Sequence, residues 1–168
     1  MVAFERIRHS LFVISISIVL IILTASPVLA ASPMHKVTGG GTADWPGGLA
    51  TYGFTARQLD DLGNAKGKAH VQVRDESEVT GLLEIDILYL AVKTETGDAW
   101  MGGVITKATP SSFVGVEVIW RVQDNGEGKN ASSPDMTSTI IGPPAIRALE
   151  MPDIPLRQIW TNGNISVH

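Results

Sequence analysis

The sequence predicts an all-β protein: a single antiparallel β-sandwich or β-barrel of about eight strands that follows an N-terminal signal helix. Two observations support this prediction. After residue 30, apolar and polar residues alternate with a period of two, which is the pattern of strands that bury one face. Clusters of Gly, Asn, Asp and Pro separate these runs at intervals of roughly 8–12 residues, which is typical of sandwiches and barrels.

The first thirty residues have the organisation of a signal peptide. A short, weakly basic start precedes a run of thirteen mostly apolar residues at 11–23, and a segment of small residues ends at Ala30. We expect cleavage after Ala30, with Ala31 as the alternative, which leaves residues 31–168 as one all-β domain. An uncleaved anchor is the other possibility, but thirteen residues fall short of the roughly 20 that a bilayer core requires. The protein is therefore predicted to be secreted or held at the cell surface, and to meet a membrane only through this segment if it stays uncleaved.

Four alternating stretches make up the first half of the domain. Residues 35–41 are a candidate first edge strand, and residues 49–56 and 69–74 each place alternate apolar residues on one face. Residues 79–92 form a longer run whose buried side changes towards its end, and a bend or bulge would explain that change. The residues predicted to point inward are Ala50, Tyr52, Phe54, Ala56, Ala69, Val71, Val73, Leu83, Ile85, Ile87 and Tyr89.

The second half of the domain contains four further predicted strands, at 99–106, 113–122, 137–141 and 159–167. The clearest is 113–122, in which alternate residues are predicted to line the core: Val114, Val116, Val118, Trp120 and Val122. The last strand is predicted to break near residues 162–164, which read Asn-Gly-Asn. Residues 142–157 contain four prolines, which predicts a long loop with one helical turn near 145–149.

Composition excludes several classes of site. The chain has no cysteine, so it has no disulfide, cysteine nucleophile or cysteine-ligated metal. Residues 31–168 carry 11 basic and 16 acidic side chains, and no basic cluster is longer than Lys66-Gly67-Lys68. Binding to nucleic acid depends on clustered positive charge against phosphate, so we expect no nucleic-acid partner.

An ordered set of segments resembles short secreted bacterial β-rich domains of the post-COAP type. The segments are His35–Gly41, Ala50–Ala56 with Gly67–Gln72, Trp120–Gly128 with Pro134 and Asp135, and Gly163–His168. The chain departs from the pattern at Ser166, where glutamine is usual, and at Thr80, where histidine is usual. The resemblance implies export and a β fold. It brings no catalytic residues that could be transferred to this chain.

Three carboxylates near one loop are the candidates for a metal site. Asp124, Glu127 and Asp135 follow the clearest predicted strand in a Gly-rich stretch, and hard oxygen ligands on such a loop suit Ca²⁺. The spacing does not match an EF-hand, whose third and fifth ligand positions would be Gly126 and Gly128. The alternative is a solvated hairpin loop with local turn hydrogen bonds. No cofactor is expected unless these residues bind calcium.

Two tryptophans beside turns are the candidates for a ligand platform. Trp45 precedes a Pro-Gly pair, and Trp160 precedes Asn162 and Gly163. Exposed aromatic rings at these positions would suit the binding of a sugar or a polymer. The alternative is that the rings cap the open end of a barrel.

No motif of an established active site occurs in the sequence. The nucleophile elbow G-x-S-x-G and the zinc motif H-E-x-x-H are both absent, and His70 is most simply a surface residue. These observations favour a secreted, non-enzymatic β module that acts in surface binding, adhesion or envelope structure, with an extracellular polymer or surface as its partner. The alternatives are a secreted hydrolase or metal-dependent enzyme, and a small-ligand carrier that uses the mouth of a closed barrel.

Overall fold

The computed structural model describes residues 35–45, 48–75, 78–126, 131, 133–138 and 140–168, so the predicted signal peptide lies outside the described residues. The strands are β1 (Lys36–Trp45), β2 (Gly48–Gln58), β3 (Asn64–Asp75), β4 (Glu78–Lys93), β5 (Asp98–Thr109), β6 (Glu117–Gln123), β7 (Met136–Ser138) and β8 (Leu156–Val167). Short 3₁₀ helices cover Thr94–Thr96, Ser111–Phe113 and Ala145–Glu150. Within the described ranges, no helix has the length and apolar character that crossing a membrane requires.

The strands form a closed antiparallel barrel. Each strand pairs with the next one along the chain, and β8 pairs with β1 from Val37 opposite Val167 to Ala43 opposite Trp160. The predicted all-β antiparallel fold is confirmed, and the structure is a barrel rather than a sandwich. The prediction of an edge strand at 35–41 is wrong, because β1 has a partner on both sides.

Alternation along the strands fills the barrel with apolar side chains. The residues of β2 that were predicted to point inward are all buried, and so are Ala69 and Val71 of β3. In β4 the pairing with β5 shifts register between Ile87 and Tyr89, which confirms the predicted bulge. The bulge places Leu90 in the interior, whereas Tyr89 packs on the outer face and was wrongly predicted to point inward.

The stretch 113–122 is a strand only in its second half. Three residues of β6 are buried inside the barrel as predicted: Val118, Trp120 and Val122. Val114 and Val116 were wrongly placed on the same strand, and they are 50% and 36% exposed. A 3₁₀ turn over Ser111–Phe113 and the left-handed backbone of Gly115, with φ of 85°, reverse the chain before β6 begins.

The last two strands also differ from their predicted limits. β7 is shorter than the predicted 137–141, and beyond it Ile141 makes one isolated bridge with Ile119. β8 continues through residues 162–164, where a break was predicted. Gly163 pairs there with Gly41 at a φ of 103°, which is a backbone conformation that favours glycine.

The proline-rich segment 142–157 packs against the outer wall of the barrel. Its 3₁₀ helix at Ala145–Glu150 confirms the predicted helical turn. A second, smaller apolar cluster forms under it from Trp100, Ile119, Ala148 and Ile154. Gly102 on β5 permits this approach, because a Cβ atom there would collide with the carbonyl oxygen of Ala145.

Candidate functional site

The barrel has two distinct ends, which we call the mouth and the base. The mouth is the end at which β1, β3 and β5 finish and β2, β4 and β6 begin, and the base is the opposite end. A cavity of about 400 Å³ opens at the mouth. Small-molecule pockets span roughly 300–1,000 Å³, and an eight-stranded barrel is wide enough to hold one small ligand. This cavity is the candidate functional site.

The walls of the cavity are almost wholly apolar. Because side chains alternate along each strand, aliphatic side chains and one phenol ring line the cavity: Tyr52, Val71, Val73, Leu83, Ile105 and Val118. The rim is formed by residues near the strand ends and by two connections: Trp45, Thr80, Thr109, Phe113, Val116 and Ile141. Phe113 is 47% exposed and Ile141 is 40% exposed, so apolar surface continues from the cavity to the solvent.

Tyr52 brings a buried polar group to the wall of the cavity. Its side chain is 3% exposed, and its hydroxyl donates a hydrogen bond of 2.5 Å to Oε1 of the buried Gln158 on β8. Burial raises the pKa of Tyr52 to about 12, although the hydrogen bond to Gln158 acts in the opposite direction. The phenol therefore stays neutral across the physiological range of pH.

Charged side chains of the neighbouring strands lie on the outer surface. Lys107 on β5 donates a hydrogen bond of 2.9 Å to the carboxylate of Glu84 on β4, which lowers the pKa of that carboxyl group. Lys68 pairs with Asp86 at 3.0 Å on the same outer face. Among the described residues that line the cavity, none carries a charge. The strands thus separate an uncharged cavity from a charged exterior.

The two tryptophans proposed as a platform occupy different environments. Trp160 is 5% exposed, and its ring centroid lies 6.0 Å from that of Tyr52 and 6.2 Å from that of Phe54. The prediction of an exposed ring at Trp160 is wrong, because β8 continues past this residue and closes the barrel. Trp45 is half-buried at the end of β1 and lines the cavity. Its position agrees with the alternative, in which the ring caps the open end of the barrel.

The carboxylates of Asp124 and Asp135 bind backbone N–H groups at the base. Asp124 accepts hydrogen bonds of 2.8 Å from Gly126 and 3.0 Å from Val167. Its two oxygens thus join the start of the loop between β6 and β7 to the end of β8.

Asp135 makes a similar connection from the other end of that loop. Its carboxylate accepts hydrogen bonds of 2.9 Å from the N–H of Asn125 and 2.6 Å from the N–H of Ile165. The third candidate ligand, Glu127, lies outside the described residues. Within the described part of the chain, no three His, Asp or Glu side chains are grouped as metal ligands. Calcium binding at this loop stays a prediction.

A second depression near the base is lined in part by Asp98, Arg121 and Trp100, which contact one another. Arg121 donates from Nε to the buried Asp98 at 2.8 Å, and its guanidinium lies 5.1 Å from the ring centroid of Trp100. Thr96 donates a hydrogen bond of 2.6 Å to the other oxygen of Asp98. These hydrogen bonds satisfy both oxygens of the buried Asp98, and loss of either partner would leave a buried charge less well compensated.

Comparisons of the chain with models of protein families, with curated proteins and with solved structures gave no match. The resemblance to post-COAP-type domains therefore stays a prediction. His70, a residue considered for catalysis, lies on the outer face of β3 and is exposed. Among the lining residues, the sequence named only Trp45 as a ligand-site candidate, although it predicted several others to point inward: Tyr52, Val71, Val73, Leu83 and Val118.

Proposed function

We propose that this protein is a secreted, non-enzymatic barrel that holds a small apolar molecule in the cavity at its mouth. Among the functions that the sequence leaves open, this is the small-ligand carrier. Secretion in this proposal rests on the predicted signal peptide. The binding function rests on one observation, the cavity of about 400 Å³ with apolar walls.

The hydrophobic effect explains why such a cavity binds an apolar molecule. Side chains such as Val71, Leu83 and Ile105 present apolar surface that water solvates poorly, and a ligand of matching shape removes both surfaces from water. Each Å² of apolar surface that is buried contributes about 25 cal/mol. A barrel interior filled with its own side chains would leave no apolar surface for a ligand to cover. The open apolar space at the mouth therefore favours the carrier function.

The residues around the cavity favour the carrier over the other functions. A polymer-binding face presents aromatic rings on the outer surface, but Trp160 is buried and Trp45 lines the cavity. A hydrolase brings several titratable side chains together in its pocket. Among the described lining residues, Tyr52 is the one titratable group, and its pKa of about 12 makes it a poor acid or base near neutral pH.

Binding of a neutral dye tests this proposal. The protein is purified after export and titrated with N-phenyl-1-naphthylamine, whose fluorescence increases in apolar surroundings. Gly81 lines the cavity, and a Cβ atom there would make an ordinary contact of 3.5 Å with Val73, so Gly81→Leu fills the cavity without a backbone collision. Gly53→Leu is the matched control, because a Cβ atom at this position meets nothing within 4 Å.

We expect saturable binding of the dye to the wild type and to Gly53→Leu. The Gly81→Leu variant should bind the dye at least about tenfold more weakly, since its four additional carbon atoms occupy the site. A wild-type protein that shows no saturable binding would contradict the proposal. Equal binding by Gly81→Leu and Gly53→Leu would show that the dye binds elsewhere.

A further inference from the structure

The cavity contains hydrogen-bonding groups but no charge among the described residues that line it. The polar side chains among its lining residues belong to Tyr52, Thr80, Thr109 and Trp45. Thr80 and Thr109 are exposed at the rim, whereas Tyr52 is 3% exposed. A ligand that enters the cavity therefore meets one deeply buried polar side chain within apolar walls.

An ionised group has no counterion inside these walls. Charged residues that neighbour the lining in sequence have solvent-exposed side chains: Arg74 follows Val73, Glu117 follows Val116, and Glu84, which follows Leu83, is paired with Lys107. Moving a carboxylate from water into an apolar site without a partner costs far more than moving a hydroxyl that finds a hydrogen bond. The walls thus disfavour ligands that bury a charge.

Tyr52 sets which neutral group is accepted. Its hydroxyl hydrogen is used by Gln158, which leaves the phenol oxygen as a hydrogen-bond acceptor. An alcohol on the ligand can donate to that oxygen without disturbing the bond to Gln158. A ketone, which only accepts, would require Tyr52 to give up Gln158 and leave a buried acceptor unpaired.

We propose that the cavity selects compact, uncharged, mainly hydrocarbon molecules that carry a hydroxyl group, with that hydroxyl bound to Tyr52. This inference rests on the proposed function and specifies the class of its ligand. If the cavity of about 400 Å³ is filled to the density of a protein interior, about 0.74, it holds a molecule of about 300 Å³ in van der Waals volume. A twelve-carbon ring falls within this size.

Three ligands that share one ring test the selection. Cyclododecanol, cyclododecanone and cyclododecanecarboxylate are used to displace N-phenyl-1-naphthylamine from the exported protein at neutral pH. The alcohol should displace the dye at a concentration at least about tenfold lower than the carboxylate and several-fold lower than the ketone. At about pH 4, where the acid is largely protonated, its affinity should approach that of the alcohol, while the affinity of the alcohol stays constant.

Substitution of Tyr52 tests the position of the hydroxyl. In Tyr52→Phe, the displacing concentrations of the alcohol and the ketone, each related to that variant's own affinity for the dye, should become equal. Equal displacement by the carboxylate and the alcohol at neutral pH would overturn the selection for neutral ligands and leave the proposed function intact. A preference for the alcohol that persists in Tyr52→Phe would overturn the role of Tyr52. If the dye itself does not bind, the proposed function fails and the inference fails with it.

Discussion

Replacing Asp135 by asparagine is expected to destabilise the barrel strongly. Asp135 is 6% exposed, and its two carboxylate oxygens accept the N–H groups of Asn125 and Ile165 at 2.9 and 2.6 Å. Asparagine has the same shape but one oxygen and one NH₂ group. One of the two N–H donors would therefore face another donor, and the remaining hydrogen bond would lose its charge.

The size of the effect follows from these two bonds. Hydrogen bonds to charged groups contribute about 1.5–3 kcal/mol each, and a buried donor left without a partner costs about 1–3 kcal/mol. The asparagine variant keeps a weaker form of one bond, so we expect a loss of about 3 kcal/mol in the free energy of unfolding. For a domain of this size, that loss lowers the Tm by about 10 °C.

Urea denaturation followed by tryptophan fluorescence measures this loss. The midpoint should fall while the slope of the transition stays constant, since the surface exposed on unfolding is unchanged. Asp44→Asn is the matched control, because the side chain of Asp44 is exposed on β1 and its variant should unfold at the wild-type midpoint. If Asp135→Asn lost less than about 1 kcal/mol, the reasoning that these two bonds hold β8 to the β6–β7 loop would be refuted.

Three further outcomes are expected. Tyr52 has a pKa of about 12 in the folded protein against an ordinary value of 10, so its contribution to stability is present below pH 10 and is lost as the pH rises through 12. In denaturation at stepped pH, the wild type should therefore lose up to about 3 kcal/mol more than Tyr52→Phe. Gly102→Ala should lower the free energy of unfolding by about 1–3 kcal/mol, because the new Cβ atom pushes the Ala145–Glu150 helix away from the barrel. Gly40→Ala is the control: nothing lies within 4 Å of its Cβ position, so the free energy of unfolding should change by less than about 0.5 kcal/mol. Calcium at about 5 mM should leave the Tm unchanged, because the four carboxylate oxygens of Asp124 and Asp135 already accept backbone hydrogen bonds. A rise in Tm of about 3 °C or more would instead support the predicted calcium site.

The alternation of apolar and polar residues was enough to predict most of the strands in the barrel wall. The two-residue period places the side chains of β2 and β3 correctly because a strand with one buried face needs that period. It also predicts the bulge in β4, where burial changes side. It fails at Val114 and Val116, whose β-branched side chains suit a strand, because a glycine with positive φ between them turns the chain. Turn geometry of this kind depends on backbone angles that composition does not reveal.

The candidate site depends on contacts that are distant in sequence. Trp160 precedes a sequence typical of a turn, yet the pairing of β8 with β1 extends that segment and buries the ring. The cavity exists only once the strands close, and its lining comes from residues as far apart as Trp45 and Ile141. The sequence singled out Asp124 and Asp135, together with Glu127, as candidate metal ligands, and metal binding there stays a prediction. Two of the four backbone N–H groups that Asp124 and Asp135 bind, those of Ile165 and Val167, lie on β8, which no local pattern connects to that loop.

The pairing of β1 with β8, which closes the barrel, also affects how the domain folds. Val37 pairs with Val167, so nearly the whole domain lies between the two partners of this seam. Contacts of such sequence separation make folding slow. For a chain that crosses a membrane N-terminus first, as the signal peptide predicts, one edge of β1 stays unpaired until the last twelve-residue strand has emerged. Because open edges pair with other chains, export directed by the predicted signal peptide would require that edge to stay covered during transit.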